Sequence, residues 1–377
     1  MMPSIAPIIP FLLLFLWLLQ GCASDRAPSG GSADTTPLRL LASTPINGTQ
    51  NFKGNQLQLY FSHEVSSRAL LRALRTFPDI GQFELTVNGK RADIQLLDTL
   101  QANQTYTLLL NRHLNDFRGQ LLHAPTTLAF STGNNVNNGT IRGTVVQYNG
   151  TPASNALLLA FASAEKGATV NLLENKPTQI AQCDASGSFA FNHLPHGSYH
   201  VVAINDRNHD LAWAPSSEEY ATPSQPLMAT NSANQLLRLS PPLKSPKPLK
   251  IPLEASSAPT NSTIATGSLS GMCTVRGNPP SVIIEAISPS ATYYTVAVRK
   301  KAGSYTYHFN QLPVGDYTIT ASIPTASYQP NQAWQWNAGS VAPFVPSDSF
   351  TFYPETVTIR EEWLTERINI TFPTILQ

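Results

Sequence analysis

The sequence predicts an all-β protein made of three tandem β-sandwich units, with one short helix in the first. Three observations carry that expectation. A twelve-residue phrase beginning at Phe191, "FNHLPHGSYHVV", returns 118 residues later at Phe309 as "FNQLPVGDYTIT", with six letters kept in place. On both sides of each copy apolar and polar residues alternate with the period of two that a half-buried strand requires. The composition is that of a turn-rich exported chain, with 30 Pro among 377 residues and only 12% charged residues against roughly 25% in an average soluble protein. That length holds three domains of ordinary size. A net charge of +1 without a basic stripe argues against a nucleic-acid partner.

The repeated phrase reads as architecture. Phe189 and Phe191 point to one side of an extended segment, and Tyr199, Val201 and Ala203 do so after the turn; Tyr305, Tyr307 and Phe309, then Tyr317, Ile319 and Ala321, form the second set. Between them, Leu194-Pro195-His196-Gly197 and Leu312-Pro313-Val314-Gly315 place Pro and Gly where a tight turn wants them, so each phrase is expected to be a hairpin. The letters that change, His196 to Val314 and Ser198 to Asp316, stand where a catalytic group would have to sit. Each unit also opens alike, Gly139-Thr-Ile-Arg-Gly143-Thr-Val145 returning as Gly267-Ser-Leu-Ser-Gly271-Met-Cys273. The opening strand, the Asp184-x-x-Gly187 turn and the repeated phrase together resemble the carboxypeptidase regulatory-like domains. That resemblance implies a transthyretin-like seven-stranded sandwich over 139–254 and, without the Asp-x-x-Gly turn, a second over 267–377, with 255–266 as linker.

Residues 38–134 form the first unit. Their order, from Pro45-Ile-Asn-Gly48 through Leu57-Gln-Leu59-Tyr-Phe61 and Tyr106-Thr-Leu108 to Phe130-Ser-Thr-Gly133, is similar to the bacterial Ig-like domains of envelope proteins. Between its strands Ser66 to Arg75 holds Ala69, Leu70, Leu71, Ala73 and Leu74 after serines suited to capping, which predicts a short helix.

Ile8 to Leu19 is a nearly uninterrupted apolar run of signal-peptide length ending in Leu19-Gln-Gly-Cys22. It resembles a bacterial lipobox, which implies a signal peptide over 1–21, a lipid on Cys22 and a flexible tether over 22–37. Ala23 after the cysteine implies sorting to the outer membrane. An ordinary signal peptide or N-terminal anchor is the alternative. Cys183 and Cys273 then remain, as two buried thiols or as an interdomain disulfide.

Two candidate sites stand out. Asp206, Asn208 and Asp210 followed by Glu218 space oxygen ligands as a flexible calcium loop does, although Leu211 occupies the expected glycine position. The alternative is a solvated turn. Trp334 and Trp336, flanked by Gln and Asn, have equal parity and so form either a sugar-stacking pair or a pair packed under a loop. No HExxH, GxSxG, Walker glycine-lysine run or CxxC occurs, and the eight histidines are dispersed. The expected protein is therefore a non-enzymatic, lipid-anchored envelope protein with no cofactor unless calcium. Its expected role is structural or adaptor, binding another envelope protein or, alternatively, a polysaccharide through the third unit.

Overall fold

The computed structural model describes residues 34–163, 172–209, 211, 213–214, 217–230, 234–242, 247–251, 264–326, 328–330 and 333–373. Cys22, Asp210, most of the tether and most of the linker lie outside them. The regular structure of the described chain is nearly all β, with one α-helix, Ser67–Ala73, and the strands form sandwich-like pairs of sheets.

In the first unit one sheet runs Leu40–Thr44, Gln56–Phe61, Arg91–Leu96, Phe83–Asn88, and the other Leu74–Phe77, Thr105–Leu110, Thr126–Ser131. Alternation places Leu57, Leu59 and Phe61 of one sheet against Tyr106, Leu108, Leu110 and Phe130 of the other. The helix carries the chain from one sheet to the other. Ser66 caps it by accepting a hydrogen bond from the Ala69 amide at 3.1 Å, and it buries Leu70 and Ala73 in the same core. It stops before Leu74, where pairing with Leu110 takes the backbone into a strand.

The middle and third units share one plan. Gly139–Val146 pairs antiparallel with Ser188–Leu194 in one sheet, while Leu157–Ala162 pairs with Ser198–Ile204 in the other. Correspondingly, Thr266–Thr274 pairs with Ser304–Pro313, and Ile283–Ile287 with Gly315–Ile323. The repeated phrase is therefore not a hairpin: the strands before and after its turn belong to opposite sheets. Its Pro-Gly turn is a corner over which the chain crosses the sandwich. In each copy the tyrosine closes that corner, Tyr199 donating to the Pro195 carbonyl and Tyr317 to the Pro313 carbonyl, both at 2.9 Å. A Tyr hydroxyl returning to backbone a few residues upstream is a known sandwich-corner device. The opening glycines have an equally local cause. A Cβ on Gly143 would lie 2.3 Å from the Gln235 oxygen, and one on Gly271 2.0 Å from the Ile368 oxygen, because a parallel segment crosses close beside each opening strand. Leu249–Lys250 already pairs with Tyr293–Tyr294 of the third unit, ahead of residue 254 where the sequence places the end of the second.

Contacts between the units are as buried as the cores within them. Leu157–Phe161 is apolar on both faces: Leu158 and Ala160 enter the middle core, while Leu157, Leu159 and Phe161 meet Leu109 of the first unit and Val341 of the third. The middle and third units also meet around Arg238 and Glu285, both fully buried, with Nη1 2.7 Å from Oε2. Tyr148 donates to Glu285 Oε1 at 2.5 Å, Thr320 donates to Oε2 at 3.0 Å, and the Arg238 Nε donates to the Tyr148 carbonyl at 2.9 Å. The guanidinium lies 4.1 Å from the Tyr148 ring centre and 4.9 Å from that of Trp336. Burial, with the neighbouring Glu285 charge, raises the Tyr148 pKa and keeps it a donor.

Breaking one side of this pair leaves a buried charge uncompensated. Glu285→Ala is expected to destabilise the protein by about 3–5 kcal/mol, and Arg238→Met/Glu285→Leu to restore most of that loss. Urea denaturation followed by tryptophan fluorescence reads both; additive losses in the double variant would contradict the coupling.

Candidate functional site

The segment after Ser198–Ile204 is a loop closed on its own backbone. Glu218 accepts from the Arg207 amide at 3.1 Å through Oε1 and from the Ala214 amide at 2.9 Å through Oε2. Asp206 Oδ2 accepts from the Leu211 amide at 3.1 Å, and its buried Oδ1 has no partner among the described residues. Glu219 holds Asn205 at 2.9 Å and forms an ion pair with Arg207. Asp206, Glu218 and Glu219 are buried; Asn208 is exposed, and Asp210 lies outside the described residues. Asp206 and Glu218 thus face inward and bind loop amides, as a clasp would, while Asn208 is exposed. Among the described residues no group of three or more His, Cys, Asp and Glu side chains is arranged to hold a metal.

Trp334 and Trp336 do share a direction, and that direction is inward. Their residues are 5% and 3% exposed, in a cluster with Tyr148, Ile283, Ile287 and Tyr294. The Trp334 amide donates to the Tyr294 hydroxyl at 3.3 Å, and the Trp336 ring meets Phe350 edge-on at 5.0 Å. A sugar-stacking platform needs ring faces in solvent, so the packed arrangement is the one this chain adopts. The equal parity predicted a common side correctly; it carries no information on which side.

Cys183 and Cys273 are free thiols in different cores, the middle and the third. Burial pushes the Cys273 thiol up to about 12 and raises Cys183 as well, so both behave as small apolar side chains. The histidines go to separate neighbours. His193 Nδ1 is 3.0 Å from the Asn137 carbonyl, and His196 Nε2 is 2.6 Å from Asn138 Oδ1. His200 turns away from Tyr199 and lies 4.3 Å, ring centre to ring centre, from Phe344. His209 stacks at 3.9 Å on His113 of the first unit.

Sequence reasoning missed the buried pair. Glu285 alone inside "VIIEAI" was a visible signal, since an unpaired carboxylate does not survive in an apolar strand. Its partner Arg238, in another unit, had no such mark.

Two predictions follow from these geometries. Burial lowers the pKa of His200, and burial together with the His209 charge and Arg112 lowers that of His113 against the opposing pull of Asp206. A histidine whose folded pKa is depressed is protonated first in the unfolded chain, so its contribution is complete above about pH 6.5 and is lost as the pH falls below that value. The melting temperature should therefore drop from pH 7 to 5, and His113→Gln/His200→Gln should flatten the curve. As for calcium, a loop clasped by its own amides should show no change in melting temperature on adding Ca²⁺ and then EDTA. A rise that EDTA reverses would show that the loop holds the ion.

Comparison with known proteins adds a family to one segment. Residues 34–132 match the sequence model of the bacterial Ig-like domain. No curated protein matches the chain. Among solved structures, the chain is similar to the N-terminal part of the bacterial S-layer protein SbsC at 16% identity, covering 45% of this chain and 40% of that one, TM-score 0.20. The L,D-transpeptidase from Mycobacterium smegmatis gives 15% identity, 44% and 76% coverage and TM-score 0.21. The Bacillus anthracis TIE protein gives 12%, 90% and 59%, and 0.19. The chain thus spans less than two thirds of the first and third of these, and scores this low let none of the three speak for its overall arrangement or function.

Proposed function

We propose that this chain is a non-enzymatic spacer and adaptor of the bacterial cell envelope, held to the outer membrane by a lipid on Cys22 and binding another envelope protein by strand addition. The observation that carries the reading is the continuity of its packing: three sandwich cores joined through apolar and ion-paired interfaces leave their surfaces as the working parts. The bacterial Ig-like match over 34–132 and the lipobox-like Leu19-Gln-Gly-Cys22 support the compartment.

The edge best suited to strand addition is Phe83–Asn88. It keeps register with Arg91–Leu96 over all six residues without a bulge, is the outer strand of its sheet, and contains no Pro, Lys or Arg. By contrast the edge Val298–Lys301 carries Arg299, Lys300 and Lys301, charges that discourage pairing. The polysaccharide alternative loses its proposed platform because Trp334 and Trp336 are packed inside.

Two measurements test this reading. Metabolic labelling with an alkyne fatty acid should mark the wild-type chain and not Cys22→Ser. A photo-crosslinker at Thr86 should give one adduct of reproducible mass with an envelope protein. An identical adduct from a crosslinker at Arg299 would defeat the assignment of the edge.

A further inference from the structure

Exposed ion pairs occur elsewhere on the described chain, as Arg91 with Asp93 and Arg207 with Glu219. One groove gathers cations without such pairs. Between the helix of the first unit and Asn208–His209 of the middle unit lies an open cavity of about 790 Å³ whose lining includes Arg68, Arg72, Arg75, His113 and His209 and, among the described residues, no Asp or Glu. Arg68 and Arg72 are four residues apart on Ser67–Ala73, so they stand on one helical face about 6 Å apart along the axis. Both are exposed. Arg75 follows on the adjoining strand, half-buried. Its Nη1 donates to the carbonyls of Leu74 at 2.8 Å and Arg72 at 3.2 Å, which fixes the guanidinium without neutralising it. None of the three arginines is bonded to a carboxylate among the described residues.

The opposite wall comes from a different unit. His209 stacks on His113 at 3.9 Å, and Asn111, Asn115 and Asn208 add amide groups to the lining. Asp206, which precedes this wall in the chain, is buried and bonded to the Leu211 amide. Guanidinium groups present planar forks of donors matched to oxyanions, and three of them facing one groove repel each other until an anion enters. The supply of donors exceeds what the two oxygens of a carboxylate can accept. A phosphate, with more oxygens and up to two charges, satisfies more of them. The 6 Å spacing of Arg68 and Arg72 along an open groove suits a chain of such groups better than a single ion.

We propose that this groove binds the phosphate groups of an anionic envelope polymer, gripped between the first and middle units. The site stands on its own residues and does not depend on the lipid tether or on strand addition at Phe83–Asn88.

The test uses the full chain and fluorescence anisotropy with labelled long-chain polyphosphate as probe. Binding is expected to weaken as salt rises, and Arg68→Gln/Arg72→Gln to reduce it about tenfold and to lower the salt slope, as loss of phosphate contacts does. Melting temperature checks that the variant folds; if it does not, the single variants Arg68→Gln and Arg72→Gln each read part of the same loss. Arg299→Gln/Lys300→Gln, on the third unit, should leave binding unchanged. Equal weakening by that control would reduce the effect to general charge and overturn the site. A polyuronate binding as tightly as polyphosphate would overturn the preference for phosphate, and binding to anionic phospholipid vesicles without binding to polyphosphate would overturn the polymer in favour of a membrane surface.

Discussion

The Arg238–Glu285 pair sets the terms on which the middle and third units coexist. Two charges removed from water cost several kcal/mol each unless their hydrogen-bonding positions are filled, and here Tyr148 and Thr320 complete the carboxylate while the Tyr148 carbonyl and ring take up most of the guanidinium. Among the described residues the Arg238 Nη2 has no partner. Such a network tolerates one relative placement of the units. A sideways slip of even an ångström or two would separate charges that no water can reach. Apolar contacts alone, as between Trp336 and Phe350, are less demanding of direction. The ion pair thus contributes specificity of docking, and the surrounding aromatics contribute most of the favourable burial.

The middle unit is the piece around which the others are arranged. A free-standing sandwich exposes the outer faces of its sheets, and Leu157, Leu159 and Phe161 would then be an aggregation hazard. Leu109 from the first unit and Val341 from the third cover that face, so the neighbours complete the fold of the middle unit as well as extending it. The same residues that stabilise one sandwich thereby also hold the angle between units. The histidines at these junctions, His113 against His209 and His200 beneath Phe344, are the places where protonation would loosen the arrangement first.

Much of the local structure was legible in the sequence, and the reasons for the failures are specific. Alternation in Gln56–Phe61 and the capped run after Ser66 both report on neighbours within a few residues, and both appear where expected. The hairpin expected at Leu194–Ser198 was wrong because period and turn chemistry are identical whether two strands fold back on each other or part to opposite sheets. Only the partner strand, some fifty residues away in the pairing of Phe191 with Ile141, distinguishes them. For the tryptophans the sequence left both arrangements open, for the related reason that parity names a common face without naming which face is wet. The basic groove escaped because its walls come from residues 66–75, 111–115 and 208–209, which no local pattern joins.

The corner also explains what the repeated phrase preserves and what it lets go. Phe, Leu and Tyr fill the core on either side, Pro supplies the carbonyl that Tyr binds, and the ladder slips between Phe191 and Leu194 as it does between Phe309 and Leu312. That shared slip adds one residue to the strand, the extra twist of a bulge just before the chain leaves its sheet. The letters that vary are used locally. His196 reaches Asn138 at 2.6 Å, whereas Asp316 accepts from Thr358 at the same distance. Each corner is thus fastened to whatever backbone segment passes beside it, one at the entry to its own unit and the other at a later strand. A repeated catalytic site would show the opposite pattern, with the polar letters held constant and the packing letters free to change.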